Sequence, residues 1–169
     1  MNRLYRMVFP LLFPLFLGEI FPPAFALTES FDHSSWDQFL KKFVNEEGEV
    51  DFQAVKKDPL LLKTYEDKLA KIKNFKDWPR EELLALWMNV YHAGVVRTVI
   101  DHYPLKNIQD IPGVWEVSFI QVGKKEFYSL NQIRNGQLIA TFRDEKIHTA
   151  LWFAAKDSPR LRREAYVGE

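Results

Sequence analysis

From Trp36 onward the apolar side chains recur in helical and then strand-like registers. Trp36, Phe39, Leu40 and Phe43 repeat at helical spacing and predict a helix from Trp36 to Val44. Ser34, with Asp37 three residues later, has the form of a capping box at its start. Asn45-Glu46-Glu47-Gly48-Glu49 reads as a polar turn, and Val50-Asp51-Phe52 as a short extended piece. Pro59 suits the first turn of a second helix reaching about Lys73. Leu61, Leu62, Tyr65, Leu69 and Ile72 give that helix one apolar face.

The longest helix is expected to start near Asp77. Pro79, Glu81 and Glu82 occupy its first turn, where a fixed φ and negative charge are both favourable. Pro104 limits its far end, because the residue before a proline avoids the helical region. Between Leu83 and Val96 the segment is apolar on nearly every side, so it predicts a helix buried in the middle of a domain.

Pro112-Gly113 marks a turn. Trp115 to Val122 has strand-like composition, and Gly123-Lys124-Lys125 turns it into Glu126-Phe127-Tyr128, which predicts an antiparallel hairpin. Ser129 caps a further helix holding Leu130, Ile133 and Leu138, with Gly136 as an interruption. Ile147 to Ala154 is an apolar run holding one histidine, where strand and buried helix both fit. Lys156-Asp157-Ser158-Pro159 reads as a loop. The expected fold class is α+β: a mainly helical single domain with a long buried central helix and a small antiparallel sheet.

The N-terminus has a different pattern. Arg3 and Arg6 precede the apolar stretch Met7 to Leu17, Glu19 ends it, and Ala24-Phe25-Ala26 is a small-x-small cleavage site. A membrane anchor needs about 20 apolar residues, and Glu19, Pro10, Pro14, Pro22 and Pro23 interrupt the run. We therefore expect a signal peptide over residues 1–26, cleaved after Ala26, and a single domain over 27–169 with no stable membrane anchor. The expected location is periplasmic or secreted.

Composition narrows the chemistry. The 169 residues carry 23 Lys+Arg and 23 Asp+Glu, a net charge of zero, so there is no basic excess to neutralise nucleic-acid phosphates. No nucleic-acid partner is expected. Cysteine is absent, which excludes disulfides, thiolate metal sites and a cysteine nucleophile. Export without disulfides fits a bacterial periplasm. No metal-ligand spacing and no phosphate-binding glycine motif occurs, so neither a metal nor a cofactor is expected.

Polar residues in apolar settings are the chemical candidates. Asn89 and His92 lie three apart on the central helix and share a face. Such groups cost about 1–3 kcal/mol if buried without partners. They serve either to bond a neighbouring loop or hairpin backbone, or to bind substrate. His148 is a candidate acid or base in its apolar run. Ser158, ten residues later, is a candidate nucleophile if a histidine activates it, although no G-x-S-x-G elbow surrounds it. Arg160, Arg162 and Arg163 form a small basic cluster that reads as a solvated face.

Leu86-Trp87-Met88-Asn89-Val90-Tyr91-His92-Ala93 resembles the F-W-I-N-L-Y-N-A segment of the bacterial and plant family called domain of unknown function 547. The likeness continues through His102-Tyr103-Pro104, the aromatic hairpin, Ser129-Leu130-Asn131-Gln132-Ile133, Ile147-His148-Thr149-Ala150-Leu151 and Ser158-Pro159-Arg160-Leu161-Arg162. It covers about residues 43–166 and implies a family without an established reaction. The family's last block is approximately H-x-A-L-N-C-A-S-x-S-C-P. This chain has Trp152 and Phe153 in place of N-C, and Ser158 in place of the cysteine before proline. His92 replaces the family's second asparagine. If the family uses a cysteine–histidine pair, His148 survives here and the thiol is gone. The resemblance thus implies a degenerate member, one expected to be short of further helices beyond Tyr166.

Two functions follow as expectations. One is an exported binding or structural module, or a degenerate hydrolase-like protein, with a peptide or cell-wall fragment as its unidentified ligand. The other is a hydrolase or transferase on peptide or cell-wall material, using His148 as base and Ser158 as nucleophile.

Overall fold

The computed structural model describes residues 30–75, 77–155 and 157–168. The expected signal peptide lies outside them. Five α-helices, one 3-10 turn, one π-helix and a two-stranded sheet make up the described elements.

Helix α1, Ser34–Phe43, buries Trp36, Phe39, Leu40 and Phe43, the face its spacing predicts. The expected capping box does not form. Asp32 accepts the Ser34 N–H through its own carboxylate, and Asp37 turns away to accept the Ala165 N–H at 3.1 Å. The polar turn after α1 is built by Asn45, whose side-chain oxygen accepts the N–H groups of Glu47 and Glu49. Val44 and Val50 bridge across it.

The extended piece expected at 50–52 is cut short. Asp51 caps a helix that the apolar pattern does not reveal, α2, Phe52–Lys57, by accepting the Ala54 N–H. Helix α3, Leu60–Leu69, then starts directly after Pro59 as expected. It ends at Leu69 rather than near Lys73, because the chain turns there to receive the hairpin: the Gly123 N–H donates to the Leu69 carbonyl at 2.9 Å.

Helix α4, Arg80–Asp101, is the axis of the fold. Every residue from Ala85 to Val96 is buried. The helix is long and apolar enough to cross a membrane, but 83% of that span is buried inside the protein, so it is a core helix. Helices α1 and α3 pack together, where Trp36 stacks between Phe39 and Tyr65 at ring separations of 4.9 and 5.8 Å. The π-helix packs on α4.

After α4 comes a 3-10 turn, Ile108–Asp110. The expected strand from Trp115 is shorter than its composition suggests, since residues 112–116 are a turn. The sheet is β1, Ile120–Gln121, antiparallel to β2, Phe127–Tyr128, with Ile120 opposite Tyr128. Gly123 supplies the positive φ of +77° in the connecting turn.

Ser129 caps the next helix as expected, and reciprocally: its hydroxyl accepts the Gln132 N–H while the Gln132 side chain accepts the Ser129 N–H. Gly136 does not interrupt that helix. The chain passes through it as a π-helix, Gln132–Ala140. Thr141 donates its hydroxyl to the Gly136 carbonyl at 2.9 Å. The ambiguous run at 147–154 begins as helix α5, Lys146–Ala150, and continues as irregular chain.

Candidate functional site

Asn89 and His92 are buried at the heart of the fold, at 0% and 2% exposure. Both are engaged by backbone of this chain. The Asn89 amide donates to the Tyr166 carbonyl at 2.8 Å and its oxygen accepts the Tyr166 N–H at 2.9 Å. His92 Nε2 accepts the Trp152 N–H at 3.2 Å, and the ring also bonds the Ala150 backbone. The ring is therefore neutral, with its proton on Nδ1. Burial pushes its pKa down to about 4, against the opposing pull of the Ala150 bond. This is the backbone-bonding role weighed for both residues from the sequence. His92 fixes the segment 150–152, which forms one wall of an adjoining cavity.

That cavity has a volume of about 350 Å³ and collects residues from six parts of the chain. Tyr91 comes from α4 and Gln109 from the 3-10 turn. Trp115 comes from the turn before the hairpin, Asn131 and Arg134 from the start of the π-helix, and His148 from α5. Leu151, Phe153 and Asp157 come from the segment after α5. Tyr91 and Leu151 are buried, Trp115, Asn131 and Phe153 half-buried, and Gln109, Arg134, His148 and Asp157 exposed. The result is an apolar, aromatic floor beneath a polar rim, the usual make-up of a small-molecule site.

Two backbone features border it. The π-helix is a rare geometry that widens the turn and re-aims side chains, and it occurs often at functional sites. Ala154, between Phe153 and Asp157, holds a φ of +54°. A non-glycine residue pays strain there, and such strain clusters at ligand sites.

The rim charges are uncommitted. Among the described residues Arg134, His148 and Asp157 make no side-chain hydrogen bond or ion pair. Asn131, by contrast, donates to Glu116 at 3.0 Å and accepts from Asn135 at 3.2 Å. Burial pushes the Tyr91 hydroxyl up to about 12, and the positive charge of Arg134 works against that rise.

His148 thus stands on the rim of the cavity. Ser158 does not line it: its hydroxyl donates to the Pro159 carbonyl at 3.2 Å. No hydrogen bond joins it to His148. No group of three or more His, Asp or Glu side chains among the described residues is placed to hold a metal ion.

The sequence reading found His148 but missed Arg134, Trp115 and Asp157. One signal was available for Arg134. Its helical neighbours at three and four residues are Leu130, Asn131, Gln137 and Leu138, so no acidic side chain on its own helix can pair with it.

Other cavities differ in this respect. One of about 350 Å³ lies between α3, α4 and the hairpin, but its cation is spent. Arg97 is bound by both oxygens of Glu66, at 2.7 and 2.6 Å. The basic residues beyond Pro159 are also largely occupied: Arg163 pairs with Glu46, and Arg162 lies over the Tyr166 ring at 4.6 Å.

A helical α+β domain with an aromatic cavity under an unpaired polar rim is the class these observations define. The model of the family described as "Protein of unknown function, DUF547" matches residues 75–169, more than half of the sequence, and the chain belongs to that family. The match takes in α4, the hairpin, the π-helix and every lining residue of the cavity. No curated protein and no solved structure matches the chain.

Proposed function

We propose that this protein is an exported binding module that takes a small ligand from peptide or cell-wall material in the cavity beneath Arg134, His148 and Asp157. The observation that carries this reading is the set of ionisable side chains of both signs on that rim, left without internal partners above a floor of Tyr91, Trp115 and Phe153. Surface charges left unpaired around a concave aromatic floor serve recognition better than folding. The export half rests on Arg3, Arg6, the apolar Met7–Leu17 and Ala24-Phe25-Ala26.

Binding is favoured over hydrolysis by the placement of Ser158, whose hydroxyl is turned to the next residue's carbonyl. Phe153, which stands where the resemblance puts a cysteine, lies in the cavity as an apolar wall. Phenylalanine and serine at the two positions where the resemblance puts cysteines are consistent with a degenerate hydrolase-like protein that retains recognition.

The test is calorimetric titration of the full chain with a set of cell-wall peptide fragments. Saturable binding that is lost in Trp115→Ala, with an unchanged thermal melt, is the expected result. Absence of any saturable fragment, or binding indifferent to Trp115→Ala, overturns the reading. A serine-reactive phosphonate that labels Ser158, and fails to do so in His148→Ala, would put hydrolysis in its place. N-terminal sequencing of protein recovered from periplasm is expected to begin at Leu27.

A further inference from the structure

The rim of the cavity carries one fixed cation, Arg134, and one carboxylate, Asp157. They reach it from different elements, the π-helix and the segment after α5. Asp157 lies three residues beyond Ala154 and its positive φ. The two do not pair with each other. Opposite charges on one small rim would ordinarily neutralise one another, as Arg97 and Glu66 do across α3 and α4 at 2.6 Å. Left apart, they present a dipole above an apolar floor. Arg134 is suited to a planar carboxylate, which its guanidinium can hold through two parallel N–H donors. Asp157 accepts hydrogen bonds only and suits an ammonium group. Trp115 and Phe153, half-buried in the same cavity, offer aromatic surface to an apolar side chain.

We infer that the cavity recognises a compact zwitterion, an amino acid or short peptide with a free ammonium and a free carboxylate. Arg134 holds the carboxylate, Asp157 the ammonium, and Trp115 and Phe153 the side chain between them. This rests on the binding reading above and names its ligand class. His148 and Gln109 complete the rim as hydrogen-bonding groups. The cavity's volume of about 350 Å³ lies at the low end of small-molecule sites, which favours a ligand of one or two residues over a folded partner.

The experiment is isothermal titration of the full chain with phenylalanine and with the dipeptide alanyl-phenylalanine. Each is compared with its N-acetylated and its C-amidated form. The free zwitterions are expected to bind saturably, and blocking either end to weaken binding about tenfold or more, the loss of one charge-assisted contact. The tighter of the two free probes tells a free amino acid from a peptide terminus as the source. Arg134→Gln is expected to erase the preference for acid over amide. Asp157→Asn is expected to erase the preference for free over acetylated amine. Both residues are exposed, so both variants should keep the native melt. The inference is overturned if neither free probe binds, if the blocked forms bind as tightly as the free ones, or if the two variants leave both preferences intact. Tight binding of a cell-wall fragment with blocked ends would overturn the zwitterion while leaving the binding module standing. Failure of all fragments and both probes would remove both.

Discussion

Asn89, in the middle of the central helix, is joined to the backbone of Tyr166 by two hydrogen bonds, one in each direction, at 2.8 and 2.9 Å. The amide does for the tail what a neighbouring strand would do: it satisfies one residue's N–H and C=O together. Asn89→Leu leaves both backbone groups without these partners. The variant is expected to lose more than about 1 kcal/mol of stability. Urea unfolding followed by near-UV circular dichroism measures this, and a neutral result would mean the tail is held by other contacts.

Gly48 packs against the same segment, at Arg160 and Leu161. Its φ is +82°, and an added Cβ would lie 2.9 Å from both the Leu161 nitrogen and the Arg160 Cβ. Gly48→Ala is expected to cost about 1–3 kcal/mol from backbone strain alone. Because Gly48 and Asn89 hold one segment, the double variant should lose less than the sum of the two. Strict additivity would show that the tail is not a single unit.

Acid should weaken the protein through its buried histidines. Burial depresses His33 and His92 to about 4 from 6.5. Between those values the unfolded chain binds more protons than the folded one, so stability rises with pH across that window. The contribution is fully present above 6.5 and lost as pH falls toward 4. Each histidine is expected to account for up to about 3 kcal/mol. Asp32, held below the usual carboxylate range by Lys68 and Ser34, titrates lower and leaves the upper part of the window to the histidines. Urea midpoints between pH 7 and 5 should therefore fall, and fall less steeply in His92→Asn. An unchanged slope in that variant would remove His92 from the account.

Arg97 and Glu66 tie α4 to α3 through a two-pronged contact at 2.7 and 2.6 Å. Lysine cannot reproduce that fork. Arg97→Lys is expected to destabilise by about 1 kcal/mol, half-buried charge-assisted pairs being worth more than surface ones. A double-mutant cycle with Glu66→Gln measures the pair directly, and a coupling near zero would count against it.

The elements that announce themselves in the sequence are those whose burial is continuous. Helix α4 was legible because apolar side chains surround it and Pro79 and Pro104 bracket it. The Ser129–Gln132 cap was half legible, since Ser129 was evident and its partner was not. Helix α2 was hidden because six residues with one buried side chain, Val55, carry no period. The π-helix left no trace either, since its geometry depends on packing against α4. At the site, the need of Asn89 and His92 for partners could be read directly. The partners could not: they are backbone groups 77 and 60 residues away, and a backbone group has no sequence signature. Trp115 and Asp157 reach the cavity only through tertiary folding, so neither stood out.

The bond between Asn89 and Tyr166 also sets an order of events. An amide in the core helix waits for a residue 77 positions later, and Asp37 waits for Ala165, 128 positions later. Neither pairing can form on a growing chain until at least Ala165 has been synthesised. Contacts this distant in sequence also slow the search for the native state. Helix α1 can pack on α3 well before that point, so its face toward α3 closes early and its Asp37 bond to Ala165 late.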